Sequence, residues 1–115
     1  LSINSSSEGQ QGQYSPQEAD ELTRQTGAAP TAVLLDSDGK VGRRYGARTT
    51  PHMFIINPDG VLIYQGAIDD KASTDPEDIP DSKNYVKAAL SEAMSGQPVT
   101  TPTTKSYGCS VKYKF

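Results

Sequence analysis

The sequence predicts an α/β fold, a sheet of short strands covered by helices, on three observations. A capping box at Ser15-Pro16-Gln17-Glu18 opens a helix. Two apolar runs, His52–Ile56 and Val61–Tyr64, flank the turn Asn57-Pro58-Asp59-Gly60 and read as an antiparallel hairpin. Val86, Ala89, Leu90 and Ala93 then recur at helical spacing. Short buried strands separated by helices bury their apolar faces as a layer of sheet against helix.

Leu1-Ser2-Ile3-Asn4 looks like the end of a strand, and the polar, Gly/Ser/Gln-rich stretch 4–14 is a loop. The first helix is expected from Pro16 to about Thr26, ended by Gly27 as the C′ residue. Its apolar face is thin: Ala19, Leu22 and the methyl groups of Thr23 and Thr26. Ala32–Leu35 reads as a buried strand. After it, Asp38-Gly39 either turns a hairpin or leads into a short helix. That helix, capped by Ser37 or Asp38, would carry Val41 and Tyr45 at i and i+4 and stop at Gly46. The lack of alternation after Gly39 favours the helix.

The hairpin runs are nearly continuously apolar, which predicts strands covered on both faces. Pro51 at their entrance removes one ladder donor. Residues 69–82 form an acidic, proline-containing loop; Asp81 or Ser82 is the expected cap of the last helix, and Gly96 its C′ residue. Residues 98–115 form an extended tail. In its last part Cys109, Val111, Tyr113 and Phe115 alternate with polar residues, as in a strand docked by one face.

Size and charge exclude several classes. A chain of 115 residues is one domain at most, burying roughly two-thirds of its unfolded surface. Its apolar content of 34% assigns a large share of the chain to polar loops, and its net charge is −3. Scattered Lys and Arg form no basic patch for nucleic acid, and no apolar run approaches the length of about 18 residues that a membrane span needs. One cysteine permits no internal disulfide and leaves the redox compartment open. The Leu1 start reads as a fragment or a processed chain.

A polar loop and helix, then VLLDSDGKVGRRYGARTTPHMFIINPDGVLIYQGAIDD, a capped helix and a terminal GCSVKY together resemble the thioredoxin-like redoxins. Within them they are most similar to the alkyl-hydroperoxide-reductase/thiol-specific-antioxidant type. Most specific is the set Tyr45-Gly46, Thr49-Thr50-Pro51, Phe54-Ile55-Ile56 and Gly60 at their spacing. The resemblance covers nearly the whole chain. It implies a central mixed sheet flanked by helices, a cis bond at Thr50-Pro51, and Thr50, Pro51, Asp69 and Asp70 as the wall of a redox site. There, backbone before the proline pairs with an extended substrate segment. The activity implied is disulfide reduction or peroxide reduction, with no cofactor, in cytoplasm or periplasm alike.

The departure from the pattern is the nucleophile. In that family a cysteine sits at the start of the first long helix, where the helix N-terminus lowers the thiol pKa. This sequence has only Cys109. The expectation is therefore that the strand-helix unit with the catalytic cysteine lies upstream of Leu1, or that the domain is inactive and serves as an interaction module. An unfilled sheet edge would be completed by that segment or by a protein partner.

Among single residues, Cys109 reads as a packing residue on the inward face of the last strand, with a resolving cysteine as the alternative. His52, the only histidine, reads as a solvent-side strand residue, and Tyr45 as core. Asp69 and Asp70 lack further ligands at regular spacing, so a solvated acidic loop is favoured over a metal site. There is no phosphate loop, zinc pattern or Ser-His-Asp signature.

Overall fold

A computed structural model of the chain describes residues 1–114 and gives an α/β arrangement of three two-stranded sheets and three α-helices among them. The chain divides into two units. One holds Leu1–Ala47 and the residues from Val111 onward; the other holds Arg48–Ser110.

In the first unit β1 (Ser2–Asn4) pairs in parallel with β2 (Val33–Leu35), Ile3 opposite Leu34. The crossover between them carries α1 (Pro16–Gln25). The capping box forms as predicted: Ser15 Oγ accepts from the Glu18 amide, and Glu18 accepts from the Ser15 amide. Only Ala19 of α1 is buried, so the thin face holds. Thr23 and Thr26 turn their hydroxyls back onto the carbonyls of Ala19 and Leu22.

The segment after β2 is the short helix α2 (Lys40–Tyr45), not a hairpin, and Gly46 ends it at φ +71°. Its N-cap position is Gly39, not Ser37 or Asp38, although Asp38 Oδ1 accepts from the Lys40 amide at 3.1 Å. Asp36, buried beneath the turn, accepts from the Val41 and Gly42 amides at 3.1 and 2.9 Å and from Ser5 Oγ at 2.7 Å. Val41 and Tyr45 are both 40% exposed, so Tyr45 is not core. The buried surface of α2 is Gly42, covered by Tyr113, whose hydroxyl donates to the Ala47 carbonyl at 2.7 Å. The Arg43 guanidinium stacks 4.7 Å from the Tyr113 ring centroid.

In the second unit β4 (Met53–Ile56) and β5 (Leu62–Gly66) form the expected antiparallel hairpin. Asn57 organises the turn: its Oδ1 accepts from the amides of Asp59 and Val61, and Gly60 takes φ +80°. A register shift between Ile55 and Ile56 bends the pair. The expectation of cover on both faces fails within this unit. Ile56 is 46% and Leu62 43% exposed, while Tyr64 alone on the hairpin is fully buried.

Helix α3 (Tyr85–Met94) packs on β4 and β5 through Ala89. Its cap is Asn84, which accepts from the Lys87 amide at 2.8 Å, and not Asp81 or Ser82. Those two belong to the turn after a short 3-10 helix, Pro76–Asp78. The last strand is far shorter than the alternation predicts. Only β6 (Cys109–Ser110) forms, antiparallel to β3 (Thr49–Thr50), and Phe115 lies outside the described residues. No helix among the described residues is long and apolar enough to cross a membrane.

Candidate functional site

Every residue that the sequence places in a candidate site lies in the second unit. β3 is two residues long and runs directly into Pro51, and the Thr50-Pro51 peptide is cis. Thr49 Oγ1 donates to the Pro51 carbonyl at 2.8 Å, which fixes the backbone on either side of Thr50. β6 supplies the partner strand, with Thr49 opposite Ser110 and Thr50 opposite Cys109.

Cys109 is exposed. It is therefore not the inward packing residue its alternation suggested; Val111 and Tyr113, of the same parity, are half-buried while Cys109 is not. The cause lies in the strand's length. With a ladder of two residues, nothing imposes a common face on the residues beyond it.

Close approach of β6 to β3 depends on Gly108. It sits at φ +134°, and a Cβ there would collide with the Thr50 carbonyl oxygen. Tyr107, one residue earlier, donates its hydroxyl to Asp69 Oδ1. The hydrogen bond to Asp69, then burial and the charges of Asp69 and Asp70, push the phenol up to about 12.

Asp69 is half-buried and also accepts from the Lys71 amide at 3.1 Å. Asp70 is exposed and accepts from the Lys83 amide at 2.8 Å. Both carboxylates brace their loop, and among the described residues no group of three His, Cys, Asp or Glu is placed to hold a metal. The solvated-loop reading holds for Asp70 and only in part for Asp69.

His52 precedes β4, is half-buried, and stacks on Phe54 at 4.6 Å between centroids. Its Nδ1 accepts from the Arg48 amide, and burial, then the Arg48 charge, hold its pKa below the ordinary 6.5. His52 thus lies just outside β4, half-buried against Phe54, and is not a strand residue facing solvent.

The structure thus brings together Thr50, Pro51 and Cys109, and ties Asp69 to the same tail through Tyr107. Sequence reasoning missed Tyr107, Gly108 and Thr104. Thr104 Oγ1 accepts from the Ala67 amide at 2.9 Å and lies 2.7 Å from the Tyr64 hydroxyl, stapling the tail to β5. A groove of about 570 Å³ along α3 is a second concavity, lined by Met53, Ile68, Val86, Leu90 and Met94 among others. Its polar lining is Lys87 with Asn84, Ser91 and Ser95.

Tyr107→Phe gives a spectrophotometric check of this geometry. Tyr107 should form its phenolate only at about pH 12, beside the raised Tyr64 and Tyr113, and Tyr107→Phe should remove one tyrosine's worth of that late absorbance change. The sign follows from a folded pKa raised above the ordinary 10.0. The hydrogen bond's contribution to stability is complete below pH 10 and is lost as pH rises through about 12.

No family model and no curated protein matches the chain. Solved structures do. An uncharacterized conserved protein from Geobacillus kaustophilus superposes with a TM-score of 0.80 at 29% identity, over 97% of this chain and 58% of its own. A hypothetical protein from Sinorhizobium meliloti 1021 gives 0.78 at 25% identity, over 97% and 60%. The chain therefore spans about three-fifths of the length of the solved structures that it matches, and shares their α/β architecture.

Proposed function

We propose that the chain is the C-terminal part of a thiol-dependent oxidoreductase of thioredoxin-like fold, with its nucleophilic cysteine in a segment upstream of Leu1. The observation that carries this reading is the register of β3 and β6. It sets the sequence's sole thiol, exposed, directly opposite Thr50, the residue before Pro51. Exposure leaves the Cys109 thiol open to attack an oxidised sulfur, as a resolving cysteine must be.

The chemistry runs in two steps. The upstream thiolate attacks a hydroperoxide: an S–O bond forms, the O–O bond breaks, and the alcohol or water leaves with a proton. The Cys109 thiolate then attacks the sulfenic sulfur, expelling hydroxide that takes up a proton as water, and a disulfide remains. An external thiol reductant restores both cysteines. With a protein disulfide as oxidant, the first step is thiol–disulfide exchange instead. Thr50, Pro51, Asp69 and Asp70 would form the wall.

Thiol labelling of the full-length protein, with and without stoichiometric hydrogen peroxide, tests the reading. An upstream cysteine should react before Cys109, and peroxide should protect both, with a disulfide joining them in the mass spectrum. A protein without an upstream cysteine, or two thiols equally inert to peroxide, sinks it.

A second reading is favoured by the apolar faces left open within each unit. Ile3 and Leu34 on the first unit's sheet are 43% and 45% exposed, and the second unit's hairpin leaves Ile56 and Leu62 open to a similar degree. A redoxin-like module completed by another segment or by a protein partner would cover them. Inert thiols together with a stable complex would select this reading.

A further inference from the structure

One flank of α3 carries two stripes side by side. Val86, Leu90 and Met94 recur four residues apart, and Lys87, Ser91 and Ser95 repeat the same spacing one position on. With Met53 of β4, Ile68 after β5 and Asn84 at the helix N-cap, they line the groove of about 570 Å³. That volume falls within the range of about 300–1,000 Å³ typical of small-ligand sites. Its apolar stripe is open, with Leu90 42% and Met94 86% exposed.

The groove carries charge of one sign. Lys87 is exposed, and its ammonium forms no ion pair or hydrogen bond with another described residue. The neighbouring acids are engaged elsewhere and do not line the groove. Glu92, the acid of α3, accepts from the Thr100 amide and hydroxyl. Asp69, bridged to Asn84 through its backbone, gives its carboxylate to the Tyr107 hydroxyl and the Lys71 amide. The rest of the polar lining adds donors: the hydroxyls of Ser91 and Ser95, and the NH2 of Asn84, whose Oδ1 is taken by the Lys87 amide.

We infer that this groove binds a free alkyl carboxylate, its chain laid along Val86, Leu90 and Met94 and its head group on Lys87. Charge complementarity selects an anion, and one ammonium beside neutral donors suits a monoanion with two acceptor oxygens. The stripe from Val86 to Met94 runs about 12 Å along the helix axis, a linear apolar track that removes an alkyl chain from water. The flexible thioethers of Met53 and Met94 adapt to chains of different outline. This site is separate from the proposed thiol chemistry, and neither depends on the other.

The test titrates the full-length protein calorimetrically with decanoate, decanol and decyltrimethylammonium, which share one chain and differ in head-group charge. Decanoate should bind about tenfold more tightly than decanol, the worth of one hydrogen bond to a charged group, and the cation should bind weakest. Lys87→Gln should bring decanoate down to the decanol value, Lys87→Arg should keep the preference, and Leu90→Gln should weaken both. Circular dichroism confirms folding, and the exposed Lys87 decides the matter if Leu90→Gln does not fold. Equal affinity for decanoate and decanol, or a preference that survives Lys87→Gln, would overturn the inference. So would absence of decanoate binding, which would mean that another segment or a second copy fills the groove. Capture by phosphatidylglycerol vesicles without binding of free decanoate would overturn it in favour of a membrane surface.

Discussion

Replacing Gly66 with alanine should lower the unfolding free energy of the second unit by about 3 kcal/mol or more, combining overpacking with a glycine-only backbone conformation. Gly66 ends β5 at φ +141°, and a Cβ there would collide with both Oγ1 and the carbonyl oxygen of Thr104. Neither neighbour can give way cheaply. The Thr104 amide donates to the Gln65 carbonyl at 3.1 Å, and the Gln65 amide donates to the Pro102 carbonyl at 3.0 Å, so the tail is registered on β5 from both directions. The Thr104 hydroxyl is also the partner of Tyr64, the largest fully buried side chain, whose own hydroxyl donates to the Ala67 carbonyl. Moving Thr104 aside therefore unsatisfies buried groups at once. Urea unfolding followed by tyrosine fluorescence measures the loss, as a lower midpoint at constant slope. Thr104→Val, which keeps the shape and deletes the hydroxyl, should cost less, about 1–3 kcal/mol for the orphaned Ala67 amide. A Gly66→Ala protein as stable as wild type would mean that the tail does not lie against β5.

The features legible in the sequence were those whose partners sit within a few residues. Ser15 and Glu18 are three positions apart, and Asn57 closes its turn on Asp59 and Val61. Propensity and capping chemistry suffice for such contacts. The caps of α2 and α3 were misassigned for a geometric reason. Asp36 reaches five and six residues forward because Gly39, at φ +71°, folds the chain back over it. No local rule selects it over Ser37 or Asp38. The continuous apolar runs correctly announced strands but not their cover, since cover depends on what lies against each face. For the site, the Thr-Thr-Pro step was visible because proline is its own signal. Tyr107 and Gly108 were not, because what they meet is remote: Asp69 is 38 residues from Tyr107, and the Thr50 carbonyl faces Gly108 only through the β3–β6 pairing. The alternation from Cys109 to Phe115 suggested a strand that two ladder residues do not sustain.

Asp36→Asn should destabilise the first unit by about 2–4 kcal/mol at neutral pH, since hydrogen bonds to a charged acceptor are worth about 1.5–3 kcal/mol each and the amide cannot replace them all. The carboxylate accepts on both oxygens: Val41 N–H on Oδ1, and Gly42 N–H with Ser5 Oγ on Oδ2. An asparagine can offer one oxygen, and its NH2 would then face a donor. The loss is structural at two levels, because Asp36 both accepts amides of the first turn of α2 and ties the end of β2 to the loop after β1; its own amide donates to the Asn4 carbonyl at 2.7 Å. The pH dependence gives the prediction its sign. Burial pushes the carboxyl up, but the donors from Gly42, Ser5 and Val41 outweigh it and hold the group below its ordinary 3.8. A carboxylate depressed in the folded state contributes fully above the unfolded pKa and loses that contribution as pH falls through the folded one. The gap between wild type and Asp36→Asn should thus be constant from pH 7 down to about 5 and narrow below pH 3.8, as wild type surrenders an interaction that the variant never had. Thermal midpoints of the two proteins across that range read it directly. A gap that stays open in acid would mean that the carboxylate's charge is not what holds the Gly39 turn onto α2.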